Sequence, residues 1–147
     1  MIQRIQTVYI LIAGLLTATL FKLKFADLIV NNELLTFYAK GIFKDTEQVI
    51  SGLPIMILIG IIILLHFAII FMYKKRIRQI RFLVFTIILL LGLLGMFFYF
   101  TYAAFNDIKV AFKIPVAFPV VAIILDYLAI RAIGKDEALI RSLNRIR

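Results

Sequence analysis

From Phe82 to Tyr102 the chain reads FLVFTIILLLGLLGMFFYFTY, without one charged side chain. A helix of about 20 apolar residues spans a hydrocarbon layer. An aqueous domain has no way to bury such a segment on every side. Three more runs have the same character: residues 5–21 (IQTVYILIAGLLTATLF), 52–73 (GLPIMILIGIIILLHFAIIFMY) and 114–133 (IPVAFPVVAIILDYLAIRAI). β-Branched residues are frequent in them, and in water that would favour strands. In lipid, each backbone N–H and C=O must find its partner inside the segment, so length decides for helix. A barrel needs alternating segments of about 10 residues, and these runs do not alternate. The 64% apolar composition exceeds the roughly 45–50% of soluble domains. The expected fold class is therefore an all-α membrane protein: a single domain over residues 1–147, built as a four-transmembrane-helix bundle. The tail of the first run, Thr17-Ala18-Thr19-Leu20-Phe21, is a poor leader-cleavage site, so that segment is read as a retained helix.

Orientation follows the basic residues. Arg4, the turn Lys74, Lys75, Arg76, Arg78 and Arg81, and the tail Arg131, Lys135, Arg141, Arg145 and Arg147 fall on one side. Lys22, Lys24, Lys40, Lys44, Lys109 and Lys113 fall on the other, among five acidic residues. Every arginine is on the first side, which places both termini in the cytoplasm of a multi-pass protein of a bacterial inner membrane. The net charge of +9 then belongs to anionic lipid headgroups on the cytoplasmic side rather than to nucleic acid. Lys74, Lys75, Arg76, Arg78, Arg81, Arg141 and Arg145 are the candidate lipid or partner contacts.

The segment 22–51 is the only long connection. Its apolar stretches LIV and LLTFYAKGIF meet at Asn31-Asn32, and adjacent asparagines tolerate tight turns. The expectation is a short extracytoplasmic β-hairpin-like loop over the mouth of the bundle; an irregular loop is the alternative. Ser51 is expected to cap the second helix, with Pro54 in its first turn. Pro115 is expected in the first turn of the fourth helix, and Pro119 is a candidate kink. Gly134 should break or bend the end of that helix. Beyond it, KDEALIRSLNRIR has an apolar stripe at Leu139, Ile140, Leu143 and Ile146, with Arg141 and Arg145 opposite and a Glu137–Arg141 pair at i,i+4. This C-terminal amphipathic helix suits either the headgroup plane or a partner helix.

The opening MIQRIQTVY, the turn KKRIRQIR and the ending RAIGKDEALIRSLNRIR together resemble an uncharacterised family of small Bacteroidota membrane proteins, domain of unknown function 4293. The resemblance spans nearly the whole chain. It implies an inner-membrane four-helix protein of a diderm bacterium, and brings no activity and no catalytic residues.

Ionisable groups within a membrane span are functional candidates by default. Two are present, His66 and Asp126, each eight residues from the basic end of its run and so about 12 Å deep at 1.5 Å per residue. Tyr9 and Thr86 fall somewhat nearer that end. If His66 and Asp126 face one another, they are able to share a proton or hold an ion. The plainer alternative is that each is interhelical glue. Gly14-x-x-x-Ala18 is a small-xxx-small pattern for close helix packing, and Gly92 and Gly95 are similar. With no cysteine and one histidine, the sequence offers no usual zinc site. Nucleophile-elbow, phosphate-loop and dinucleotide motifs are absent. The expectation is a noncatalytic protein without cofactor or metal, an accessory or scaffold subunit packed against other inner-membrane proteins. The alternatives are a small proton- or ion-coupled transporter or channel using Asp126 and His66, and a lipid-organising protein.

Overall fold

A computed structural model describes residues 5–30, 33–73, 75–103, 105 and 108–144; the side chains of residues 141, 143 and 144 are not described. The elements run α1 (Ile5–Thr19), β1 (Lys24–Val30), β2 (Glu33–Tyr38), β3 (Gly41–Lys44), β4 (Glu47–Ser51), α2 (Leu53–Phe71), α3 (Arg76–Tyr102), β5 (Lys109–Phe112), a 3-10 turn (Ile114–Ala117) and α4 (Phe118–Asn144).

The four helices form a ring in which α1 and α3 each touch both α2 and α4. Each turns one narrow stripe inward. The buried positions are 6, 10, 13 and 17 on α1, 55, 59, 62, 66 and 69 on α2, and 79, 83, 86, 90, 93, 97 and 101 on α3. On α4 they are 119, 122, 126, 129 and 133. Spacings of three and four keep such a seam facing its neighbours. The remaining faces are apolar yet exposed, among them Leu64, Phe67 and Phe71 on α2 and Phe85, Ile88 and Leu91 on α3. Each such side chain gains about 1.5–3 kcal/mol on leaving water. α2, α3 and Ile114–Ile140, which is most of α4 with the 3-10 turn before it, are long and apolar enough to cross a membrane. α1, at 15 residues, is shorter than the roughly 17–25 of a spanning helix.

The all-α expectation is overturned by a five-stranded sheet in the order β4-β3-β2-β1-β5, antiparallel throughout. In place of a hairpin-like loop, the connection 22–51 supplies four strands, and the connection between α3 and α4 supplies a fifth. Val30 pairs with Glu33 across Asn31-Asn32, two positions that lie outside the described residues. Ile29 to Ala26 then pair with Lys109 to Phe112. One face of the sheet carries Leu28, Leu35, Phe37 and Ile42, all buried. It sits on the helix ends through an aromatic cluster: the Phe25 and Phe37 rings lie 4.4 and 6.1 Å from that of Phe97 on α3. Burying this face is what makes strands of a segment whose apolar runs are each too short for another span.

Gly41 and Gly52 let the sheet join α2 closely. Gly41 has φ +138°, and a Cβ there would strike the Ile50 carbonyl; a Cβ on Gly52 would strike that of Ala39. The Gly52 N–H donates to Lys40 O at 2.8 Å. Gly52, rather than Ser51, is the N-cap of α2. The Ser51 hydroxyl accepts only a 3.4 Å bond from Leu53 N.

The rest of the helical reading also needs revision. α3 begins at Arg76, so most of the basic turn is helix. α4 continues through Gly134 to Asn144, and no separate amphipathic helix follows a break there; one glycine costs only about 1 kcal/mol in a helix. Pro119 is the second residue of α4, where no intrahelical N–H bond is lost, and Pro115 lies in the preceding 3-10 turn.

Candidate functional site

Polar residues in the helices fall on the buried stripes, because an unpaired polar group facing hydrocarbon would cost several kcal/mol. At mid-ring, His66 of α2 and Asp126 of α4 meet. His66 Nε2 lies 3.2 Å from Asp126 Oδ1, and the two side chains are 2% and 0% exposed. The close approach depends on α1: a Cβ on Gly14 would lie 3.2 Å from the His66 Cβ. Gly14 is therefore a contact within the ring, and Ala18, one turn on, is half-buried.

The hydrogen bonds fix the protons of the pair. His66 Nδ1 lies 2.9 Å from the Ile62 carbonyl, which only accepts, so Nδ1 carries hydrogen and donates. Nε2 then has two arrangements. Either it accepts from a protonated Asp126, or it carries a second hydrogen and donates to a carboxylate. The two differ by the transfer of one proton along one hydrogen bond. Removing that proton altogether would set two acceptors against each other. Asp126 Oδ2 has no hydrogen-bond partner.

The pair lies between two apolar clusters. Toward the sheet are Ala13, Ile59, Ile62, Leu90 and Ala122. Toward the basic end are Ile10, Ile69, Leu83, Ala129 and Ile133. Thr86 is fully buried and donates to Phe82 O at 2.9 Å. Tyr9 is half-buried and packs against the basic-end cluster. Neither makes a described hydrogen bond to His66 or Asp126, so of the four polar candidates only those two are brought together.

Two buried polar residues escape the sequence reading, Gln6 and Gln79. Gln79 Nε2 donates to Ile69 O at 3.2 Å, while both polar atoms of the Gln6 side chain have no hydrogen-bond partner. Gln6 is the second residue of the first apolar run and Gln79 lies in the basic turn; the helical spacing from Ile10 or Leu83 is the signal that places each inward.

At the basic end, Arg76 is half-buried, with Nη1 3.9 Å from Glu137 Oε2 on α4. Lys75, Arg78 and Arg81 are exposed, and Arg78 and Arg81 flank Phe82 and Phe85 in a shallow groove. Lys74, Arg145 and the Arg141 side chain, with its pair to Glu137, lie outside the described residues. No group of three or more metal-ligating side chains occurs among the described residues.

Outside the ring, Asp27 on β1 meets both Lys24 and, at 3.1 Å, Lys113. Those ammonium groups, Lys24 first, hold its carboxyl below the ordinary carboxylate range. Lys44 bonds Glu33 at 2.6 Å, which raises the lysine above its ordinary value.

A family model described as domain of unknown function (DUF4293) matches residues 2–146. No curated protein and no solved structure matches the chain.

Proposed function

Since the chain belongs to the DUF4293 family, whose description assigns no activity, we propose from its own geometry that it is a noncatalytic accessory or scaffold subunit of a bacterial inner-membrane complex. On this reading the arginine-bearing end faces the cytoplasm and the sheet stands on the far side. Among the described residues, Arg76, Arg78, Arg81 and Arg131 all lie toward the end opposite the sheet, which supports that sidedness, as the cytoplasmic excess of Lys and Arg would have it.

The observation that carries the accessory role is how little of each long helix the ring uses. Only 28% of the apolar window is buried in α2, in α3 and in Ile114–Ile140, which is most of α4 with the 3-10 turn before it. Helix faces of that kind suit lipid or the spans of a larger partner. The sheet adds two edge strands, β4 and β5, whose free backbone groups are able to pair with an added strand. The basic end suits anionic lipid or an acidic surface.

Mild-detergent extraction of the tagged full-length chain tests this reading. A partner recovered in fixed stoichiometry is the expected result. A chain that migrates alone, at a monomer's mass, from lipid-preserving extracts would refute it.

The His66–Asp126 hydrogen bond supports a second reading, a proton-coupled transporter, because one proton has two positions along it. Reconstituted liposomes decide between them. Transport requires Asp126→Asn to abolish a proton-dependent flux while the fold is kept; a change in stability alone removes this reading.

A further inference from the structure

A groove of about 920 Å³ lies on the sheet, between the turn after α1 and strands β2 and β3. Its floor is apolar and aromatic. Leu34 and Tyr38 come from alternate positions of β2, Phe43 from β3, and Phe21 from the turn that ends α1. The Tyr38 and Phe43 rings meet edge-on at 6.4 Å. Thr36, between Leu34 and Tyr38, and the charged Lys22, Lys40 and Asp45 complete the lining.

Those three charges differ from their neighbours. Lys44 is paired with Glu33, and Lys24 and Lys113 are paired with Asp27. Among the described residues, Lys22, Lys40 and Asp45 make no ion pair. Asp45 is also held at φ +51° in the turn between β3 and β4, a left-handed conformation that costs on the order of 1 kcal/mol outside glycine. Two cations thus stand where the helices give way to the sheet, and one carboxylate stands at the far end of β3, along a largely apolar floor. Lysine and aromatic side chains are the groups that settle at a headgroup boundary.

We propose that this groove binds a phospholipid whose headgroup joins a phosphodiester to a primary ammonium, as in phosphatidylethanolamine. Lys22 and Lys40 donate to the phosphate oxygens. Asp45 accepts from the ammonium. Phe21 and Tyr38, at the end nearest the helices, receive the glycerol and the first methylenes of the acyl chains. Charge complementarity selects this occupant. A phosphatidylglycerol headgroup has no cation for Asp45, and a choline headgroup has no N–H to donate to it. The inference rests on the membrane placement proposed above, with the sheet end at a bilayer surface.

Native mass spectrometry of the full-length chain in detergent, supplied with phosphatidylethanolamine, phosphatidylglycerol or phosphatidylcholine of matched acyl chains, tests it. The wild type should retain the ethanolamine lipid in preference to the other two. Each lysine near a phosphate surface is worth about 1 kcal/mol, a factor of about five. Lys22→Gln with Lys40→Gln should therefore lower retention more than tenfold, and the Lys→Arg pair should restore most of it. Asp45→Asn should remove the preference for ethanolamine over glycerol. Equal retention of the three lipids by the wild type, unchanged retention by the double Lys→Gln variant, or displacement of the lipid by millimolar inorganic phosphate would each overturn the proposal. Failure of the membrane placement reads differently: the wild type would then remain soluble and monomeric without detergent.

Discussion

Replacing His66 and Asp126 singly and together tests whether they are coupled. The pair is 2% and 0% exposed and has apolar side chains above and below. Asp126→Leu leaves Nε2 of His66 without a partner, and His66→Leu leaves both oxygens of Asp126 without one. A buried unsatisfied group of this kind costs about 1–3 kcal/mol, so each single variant should lose stability in that range. The double Leu variant leaves neither group stranded, so its loss should fall short of the sum. Interhelical hydrogen bonds in membrane proteins average about 0.6 kcal/mol, with a maximum near 1.7, and the coupling energy should lie in that interval. Asp126→Asn conserves volume and its amide donates to Nε2, so it should cost less than Asp126→Leu. The chain has no tryptophan, so unfolding in mixed micelles against dodecyl sulfate is followed by far-ultraviolet circular dichroism. Single losses that add to within about 0.3–0.5 kcal/mol would mean that the two side chains do not interact, and the site as described would be refuted.

Gly14→Ala needs His66 to yield only a few tenths of an ångström and should be nearly neutral. Gly14→Leu should push α1 off α2, at about 1–3 kcal/mol for overpacking, read in the same unfolding assay. Gly41→Ala places a Cβ against the Ile50 carbonyl at φ +138°; it should destabilise by more than about 1 kcal/mol, and sheet protection in hydrogen exchange should fall across β3 and β4. Asp27 gives the sheet an acid limit. Its carboxyl is held below its ordinary range by Lys24 and Lys113, so the folded state binds the proton more weakly than the unfolded chain. That stability is complete above the ordinary carboxylate range and is lost as pH falls through the lowered folded value. Melting followed from pH 7 to pH 3 should show the decline, and Asp27→Asn should flatten it.

How much of this was legible follows from which solvent each segment meets. The long apolar runs announced themselves because lipid-facing helices are apolar all round. The same property hides which face turns inward, since no amphipathic contrast remains. The few polar residues resolve it: Gln6, Thr17, His66, Gln79, Thr86, Thr101 and Asp126 are all buried. Equal distance from the basic end placed His66 and Asp126 at one depth, and they meet because both also lie on the inward stripes of their helices. Tyr9 shares that region but only packs against an apolar cluster, because depth says nothing about azimuth. The sheet was hidden for another reason. Strands of four to seven residues carry little periodicity, and β5 finds β1 from across two helices. The continuation of α4 through Gly134 was missed because its propensity penalty is small beside what packing and a long helix supply.

The place of β1 at the interior of the sheet sets an order of assembly. Ile29 pairs with Lys109, about 80 residues further along the chain. At roughly 5–20 residues per second, a ribosome needs roughly 4–16 s to deliver β5 after β1 has emerged. Throughout that interval one edge of β1 is bare, and it is covered only after α2 and α3 have been made. The last strand to arrive therefore acts as a latch: it fastens the two connections on that side of the molecule only when the α2–α3 hairpin has reached its place. A chain stalled or cut before residue 109 would keep its first four strands and display an open seam to any protease or chaperone that patrols that surface.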